Sequence, residues 1–108
     1  MENNNLANMV KGWFIGDFEP SVIKTSLFEV ALKTYKEGDY EHTHYHKVAK
    51  EITLISEGTV KMNGVIYNAG DIILLDPFEK TDFLCVSSTA KCVVVKYPSV
   101  KGDKYIEE

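Results

Sequence analysis

Two histidines and a glutamate, His44, His46 and Glu51, are the residues of this sequence whose types and spacing favour metal chemistry. Alternate residues of a β-strand project to the same side, so His44 and His46 can turn their rings toward one ion if this segment is a strand. A short turn would then bring Glu51 back toward the two rings. Two imidazoles and one carboxylate suit a divalent transition metal and leave coordination positions open for water or substrate.

The spacing around these three residues follows a fixed pattern. Gly38 is followed by five residues, then His44, one residue, His46, four residues, Glu51, six residues and Gly58. This segment, GDYEHTHYHKVAKEITLISEG, resembles the first motif of the cupin family at all five of its positions. The resemblance implies a small antiparallel β-barrel of the jelly-roll type that holds one divalent ion, which could be iron, manganese, zinc or nickel.

A second cupin motif is matched only in part. Gly70 and Pro77 fit it, but Asp82 stands five residues after Pro77, where cupins carry a histidine as fourth ligand, and Glu79 replaces a glycine. Three interpretations are open. Asp82 is a fourth metal ligand, or the metal has three protein ligands, or the metal site is lost and the cavity only binds. A second carboxylate would favour harder ions such as manganese or iron(II).

Two residues of the same strand, His42 and Tyr40, are candidates for catalysis. Alternation would place them on the side of His44, where they could orient a small polar ligand or move a proton. The alternatives are a solvated histidine and a tyrosine that packs in the core. Further candidates for the lining of the cavity are Thr53, Met62 and Phe83, and candidates for its rim are Lys47, Lys50 and Lys80.

The rest of the sequence predicts an all-β chain. In VKM-NG-VIY, Asn63-Gly64 favours a type I′ turn between two strands. Short apolar segments between turn residues continue from about Trp13 to Tyr97, which predicts a cupin jelly-roll barrel of about eight to nine antiparallel strands. We expect one domain over residues 1–108, with the asparagine-rich residues 1–5 as a frayed N-terminus.

One predicted strand is apolar on both of its faces. Ile52 and Leu54 lie on one face and Ile55 on the other, so each face needs a cover. A barrel of 108 residues has few spare elements. We therefore expect a homodimer, in which a second copy covers this face by sheet packing or by lending the segment from Trp13 to Phe18.

Composition and charge exclude several classes of partner. The net charge is −4 and the lysines form no basic stripe, so nucleic acid is not expected as a partner. No apolar segment has the length of a membrane span, and no signal peptide is visible at the start. We expect a cytoplasmic protein without a membrane partner.

The resemblance also implies a range of activities. Small cupins act on sugars or small acids as isomerases, epimerases, lyases or dioxygenases. We therefore expect a metal-dependent enzyme whose substrate is a small polar molecule. Two other hypotheses are open: a non-catalytic module that binds a small molecule, and a structural dimer with a vestigial site.

Overall fold

The computed structural model describes residues 1–107, and within them the chain forms eleven β-strands and one 3₁₀-helix. The helix is Leu6–Asn8. The strands are β1 (Trp13–Gly16), β2 (Ile23–Lys24), β3 (Glu29–Lys36), β4 (Tyr40–Tyr45), β5 (Lys50–Glu57), β6 (Thr59–Met62), β7 (Val65–Asn68), β8 (Ile72–Leu75), β9 (Thr81–Cys85), β10 (Thr89–Tyr97) and β11 (Tyr105–Ile106). No helix within these residues is long and apolar enough to cross a membrane.

The strands form two facing sheets. One sheet has six strands in the order β2-β1-β3-β10-β5-β8, and the other has five in the order β11-β4-β9-β6-β7. The strand pairs are antiparallel except for β1 with β2. The all-β jelly-roll prediction is confirmed, although the two sheets stay separate and do not close into one continuous barrel.

Nine of these strands have four residues or more, which agrees with the predicted number. The predicted hairpin is also confirmed, because Met62 pairs with Val65 and Asn63 and Gly64 both have positive φ. The two-residue strands β2 and β11 were not predicted, since two residues show no alternation. Residues 1–5 have no regular secondary structure, and their fraying stays a prediction.

The space between the sheets has an apolar end and a polar end. Buried apolar side chains fill the first: Ile55, Val60, Met62, Leu75, Phe83, Cys85, Ala90, Cys92 and Val94. Toward the other end, the inward residues of β5 change from Ile55 to Thr53 and then to Glu51. Those of β10, in register with them, change from Cys92 to Val94 and then to Lys96. The pairing of β5 with β10 therefore places a polar cavity beside an apolar core.

The segment from Trp13 to Phe18, which could extend to a second copy of the chain, pairs here with a strand of its own chain. Trp13 pairs with Ala31 of β3, so β1 is a strand of the same chain's six-stranded sheet. Leu6 and Met9 line a cavity together with Leu32 and Val93. The N-terminal segment therefore lies over the β1–β3 side of the sheet's outer face.

The β5–β8 side of that outer face stays open. Ile52 of β5 pairs with Leu74 of β8, and Leu54 pairs with Ile72. Leu74 is 52% exposed and Ile72 is 67% exposed. Burial of each of these side chains would contribute roughly 1.5–3 kcal/mol.

We propose that two copies of the chain pack against each other through this β5–β8 face. Light scattering at micromolar concentration should give about twice the chain mass of 12.2 kDa. Leu74→Lys should reduce the mass to that of one chain, because it places a charge in the proposed interface. Val65→Lys is the matched control, since Val65 is 51% exposed on the other sheet. A monomeric unaltered protein would contradict the proposal.

Candidate metal centre

The three predicted ligands line one cavity at the polar end of the molecule. His44 on β4, His46 just after β4 and Glu51 on β5 all contribute to the wall of this cavity, whose volume is about 190 Å³. The three side chains are 5%, 4% and 8% exposed, respectively. The structure therefore places the two histidines and the glutamate in the wall of one cavity, and their role as metal ligands stays a prediction.

His44 has one ring nitrogen fixed by the backbone. Its Nδ1 lies 2.8 Å from the carbonyl oxygen of His42 and can donate a hydrogen bond to it. In a neutral imidazole, a proton on Nδ1 leaves Nε2 as the acceptor nitrogen, and metal-binding histidines are commonly oriented like this. The hydrogen bond to the backbone therefore orients the His44 ring with its Nε2 available to another group.

His46 has a buried nitrogen without a partner. Its Nε2 makes no hydrogen bond to any atom of residues 1–107. Burial, the Lys96 ammonium and the neighbouring His44 lower the pKa of His46 to about 4, so the ring is neutral at neutral pH. An unpaired buried polar atom is costly, and a metal ion is one group that would satisfy it.

Glu51 supplies the oxygen donor among the three predicted metal ligands. Its Oε2 accepts a long hydrogen bond of 3.4 Å from the Thr53 hydroxyl. Glu51 lies between Lys96 of β10 and Leu75 of β8 in the sheet register. A carboxylate with so few protein partners keeps oxygen lone pairs available for an ion.

The donor set fits a divalent transition metal in its chemistry. The ring centres of His44 and His46 are 6.0 Å apart, with the rings 80° from parallel. Within residues 1–107, no group of three or more histidine, cysteine, aspartate or glutamate side chains lies in an arrangement that could hold a metal ion. Two imidazole nitrogens and one carboxylate oxygen nevertheless match the ligands that such metals prefer.

Asp103, which the sequence analysis missed, holds the loop between His46 and Glu51. Its carboxylate accepts hydrogen bonds from the amides of Lys47, Val48 and Ala49, with shortest distances of 3.0, 3.2 and 2.9 Å. Burial alone would raise the pKa of Asp103, but these amides outweigh it and the pKa is lowered. Asp103 is more than fifty positions from the loop, and no sequence pattern links the two.

The structure places His42 and Tyr40 outside the cavity. The register of β4 against β9 shifts between Glu41 and His44, as in a β-bulge. This shift breaks the alternation, so Glu41 lines the cavity wall while His42 and Tyr40 are exposed. The structure therefore does not place His42 and Tyr40 in the cavity wall, where they were expected, and their catalytic role stays a prediction. Thr53, Met62 and Phe83 do line the cavity, as expected.

Asp82 also points away from the predicted ligands. Its neighbours on β9, Thr81 and Phe83, line the cavity, and Asp82 accepts a hydrogen bond of 2.7 Å from the Asn63 amide. Alternation along β9 therefore directs Asp82 to the hairpin turn on the other side of the sheet. Of the three interpretations of the site, this placement disfavours the one in which Asp82 is a fourth ligand.

The lysines at the cavity are not the ones expected at its rim. Lys50 pairs with Asp76, Lys80 pairs with Glu107, and Lys47 lies over the Tyr105 ring. Four other lysines line the cavity: Lys11, Lys33, Lys96 and Lys104. These come from segments far apart in the sequence, so only the assembled sheets show that they share a site.

Comparison with solved structures finds similar folds at low sequence identity. An uncharacterized protein with a double-stranded β-helix domain from Klebsiella pneumoniae is 20% identical, with a TM-score of 0.71 over 81% of this chain and 75% of that one. A DMSP lyase from Ruegeria pomeroyi is 16% identical, with a TM-score of 0.68 over 85% and 48%. A sugar phosphate isomerase of the cupin superfamily from Silicibacter pomeroyi is 21% identical, with a TM-score of 0.62 over 67% and 51%.

The class of protein follows from these similarities and from the two-sheet topology. The chain has the cupin fold, so the recognition of a cupin from the first motif is confirmed at the level of the fold. No protein-family model matches the sequence, and no curated protein matches it significantly. The chain spans only about half the length of the isomerase and of the lyase.

Replacing the Asp103 carboxylate should destabilise the fold. Asp103→Ala leaves three backbone amides without their acceptor, so we expect the free energy of unfolding to fall by about 1.5–3 kcal/mol. Asp39→Ala is the control, because Asp39 accepts one amide bond, from Lys36, in an exposed turn. Urea denaturation followed by circular dichroism measures both, and an equal small loss would contradict the role assigned to Asp103.

The pH dependence gives a second measure of this contact. Because the folded state lowers the pKa of Asp103, its stabilisation is full above the ordinary aspartate pKa and is lost as the pH falls through the lowered value. The stability difference between the unaltered protein and Asp103→Asn should therefore shrink only in strongly acidic solution.

Proposed function

We propose that this protein binds one divalent transition-metal ion through His44, His46 and Glu51 and acts as an enzyme on a small polar molecule, such as a sugar or a small acid. The observation that carries the proposal is the unpartnered, buried Nε2 of His46 in the same cavity as His44 and Glu51. A cytoplasmic location belongs to the same proposal.

In this proposal, the metal and the surrounding side chains have different chemical roles. When bound, a divalent ion polarises a ligand oxygen as a Lewis acid. The carboxylate of Glu41, half-buried in the wall, is placed to hold or move a proton. Burial raises the pKa of Tyr35 well above its usual value, so its hydroxyl stays protonated and can donate a hydrogen bond.

The structural neighbours support an enzyme without fixing the reaction. These neighbours include a sugar phosphate isomerase and a DMSP lyase, two enzymes that share one fold and catalyse different reactions. A shared fold hosts many activities, so the reaction has to be argued from the site. Isomerase, epimerase, lyase and dioxygenase chemistry therefore all remain within the proposal.

Metal analysis tests the first half of the proposal. After reconstitution and desalting, the unaltered protein should carry about one divalent ion per chain, and the double variant His44→Ala/His46→Ala should carry none, because it lacks both nitrogen donors. Glu57→Gln, an exposed change on the same strand as Glu51, should leave the metal content unchanged. An unaltered protein that takes up no ion would remove the metal proposal.

Asp82→Ala distinguishes three protein ligands from four. We expect its metal affinity to equal that of the unaltered protein, since Asp82 contacts the Asn63 amide and does not line the cavity. Isothermal titration with zinc measures this affinity. A loss of about tenfold or more would show that Asp82 reaches the metal after all.

A non-catalytic binding module is the second candidate. It is favoured by the exposed position of His42, which leaves the cavity without a histidine other than the two proposed ligands. A module would need contacts to its ligand but no group that exchanges protons.

A screen of the metal-loaded protein separates these two candidates. Sugar acids, sugar phosphates and small dicarboxylic acids are incubated with it and followed by proton NMR. With a turned-over compound in hand, Glu41→Gln should lower kcat more than it changes KM, while His42→Gln should leave both unchanged. Saturable binding without conversion of any compound would favour the module.

A further inference from the structure

The cavity carries more positive than negative side chains. It is lined by four lysines and two glutamates, although the whole chain has a net charge of −4. The lysines are Lys11, Lys33, Lys96 and Lys104, and the glutamates are Glu41 and Glu51. A positive cavity in an acidic protein raises the local concentration of anions.

None of these four lysines has a close carboxylate partner within residues 1–107. The ion pairs found there, with nitrogen–oxygen distances up to 4.0 Å, use Lys24, Lys50, Lys80 and Lys91. Lys96 lies opposite Glu51 in the sheet, but its ammonium forms no ion pair with that carboxylate. The cavity ammonium groups therefore keep their hydrogen-bond donors available for another group.

Two of these ammonium groups lie near one aromatic ring. The Nζ atoms of Lys33 and Lys96 are each 5.1 Å from the centre of the Trp13 ring, and both lysines are half-buried. Attraction to the ring partly offsets the repulsion between two like charges. Trp13 therefore has two cationic donors beside its ring at the wall of the cavity.

The electrostatics of Lys33 agree with a cluster that lacks negative charge. Burial lowers the pKa of Lys33, Glu41 opposes this effect, and Lys104, Lys96 and Lys11 lower it further. A bound anion would reduce the repulsion among these lysines.

We propose that the lysines of this cavity, among them Lys33 and Lys96 beside Trp13, bind a carboxylate or phosphate group of a small-molecule ligand. Because Lys96 lies opposite Glu51, this anion subsite adjoins the proposed metal ligands. The subsite itself does not require a metal. One extension of the proposal does rest on the proposed function. In it, the anion belongs to a substrate, either an acid or a phosphate ester, whose remaining atoms face His44, His46 and Glu51.

The fluorescence of Trp13 gives a direct measurement, because Trp13 is the only tryptophan in the chain. The metal-free protein, prepared with EDTA and desalted, is titrated at constant ionic strength with inorganic phosphate and, separately, with malonate. A neutral sugar and sodium chloride serve as controls. We expect a saturable change with phosphate or malonate and none with the controls. The anion that binds more tightly identifies the group that the subsite takes.

Variants assign the binding to the two lysines. Lys33→Gln and Lys96→Gln should each lower the affinity for the anion by about tenfold, as expected for the loss of one hydrogen bond to a charged group. Lys96→Arg should restore binding, since it keeps the charge. The matched controls are Lys36→Gln on β3 and Lys91→Gln on β10, both exposed. Circular dichroism confirms that each variant is folded.

The outcomes separate this inference from the metal proposal. Phosphate or malonate binding that persists in metal-free protein and in His44→Ala/His46→Ala supports the subsite even if no metal ever binds. The absence of saturable binding by either anion would overturn it. Binding that needs the metal and is equal in Lys33→Gln, Lys96→Gln and the control variants would also overturn it and would leave the metal proposal standing.

Discussion

The bonds between the Asp103 carboxylate and the amides of Lys47, Val48 and Ala49 are the constraint on which the site depends. The loop that contains these amides joins His46 to Glu51, so its conformation sets the backbone positions of both proposed ligands. A buried amide needs an acceptor, and within this loop the acceptor comes from the C-terminal part of the chain. Two residues further on, Tyr105 and its neighbour pair with Tyr45 and His44 of β4. The C-terminal segment therefore fixes both the loop and the strand that carry the ligands.

The interior between the sheets has an apolar end that stabilises the fold and a polar end that carries the candidate site. The apolar end, with Ile55 and Cys92 fully buried, supplies the hydrophobic stabilisation of the fold. The polar end carries Glu51 and Lys96 on the same paired strands, so it is held rigidly by the sheet while its side chains stay free to bind. Polar groups that are buried without full pairing are costly, and their concentration in one cavity supports the proposal that this cavity is a binding site.

Strand geometry decides which side chains face that cavity. On β9, regular alternation places Thr81 inward and Asp82 toward the hairpin turn at Asn63. On β4, a register shift turns Glu41 inward and His42 outward, while His44 keeps its inward direction. A shift of one residue moves a side chain to the opposite face of a sheet, so the shift in β4 changes the chemistry available inside.

The sequence by itself determined the features that depend on near neighbours. The spacing of His44, His46 and Glu51 predicted ligands on one wall, and Asn63-Gly64 predicted a hairpin, because strand alternation and turn geometry are short-range properties. Tertiary structure decided the rest. Three features depend on contacts between distant segments: the bulge that turns His42 outward, the hydrogen bonds from the loop amides to Asp103, and the approach of Lys33 and Lys96 to Trp13. Register between strands is set by the packing of whole sheets, and no local pattern in one segment records which residue of another will lie opposite it.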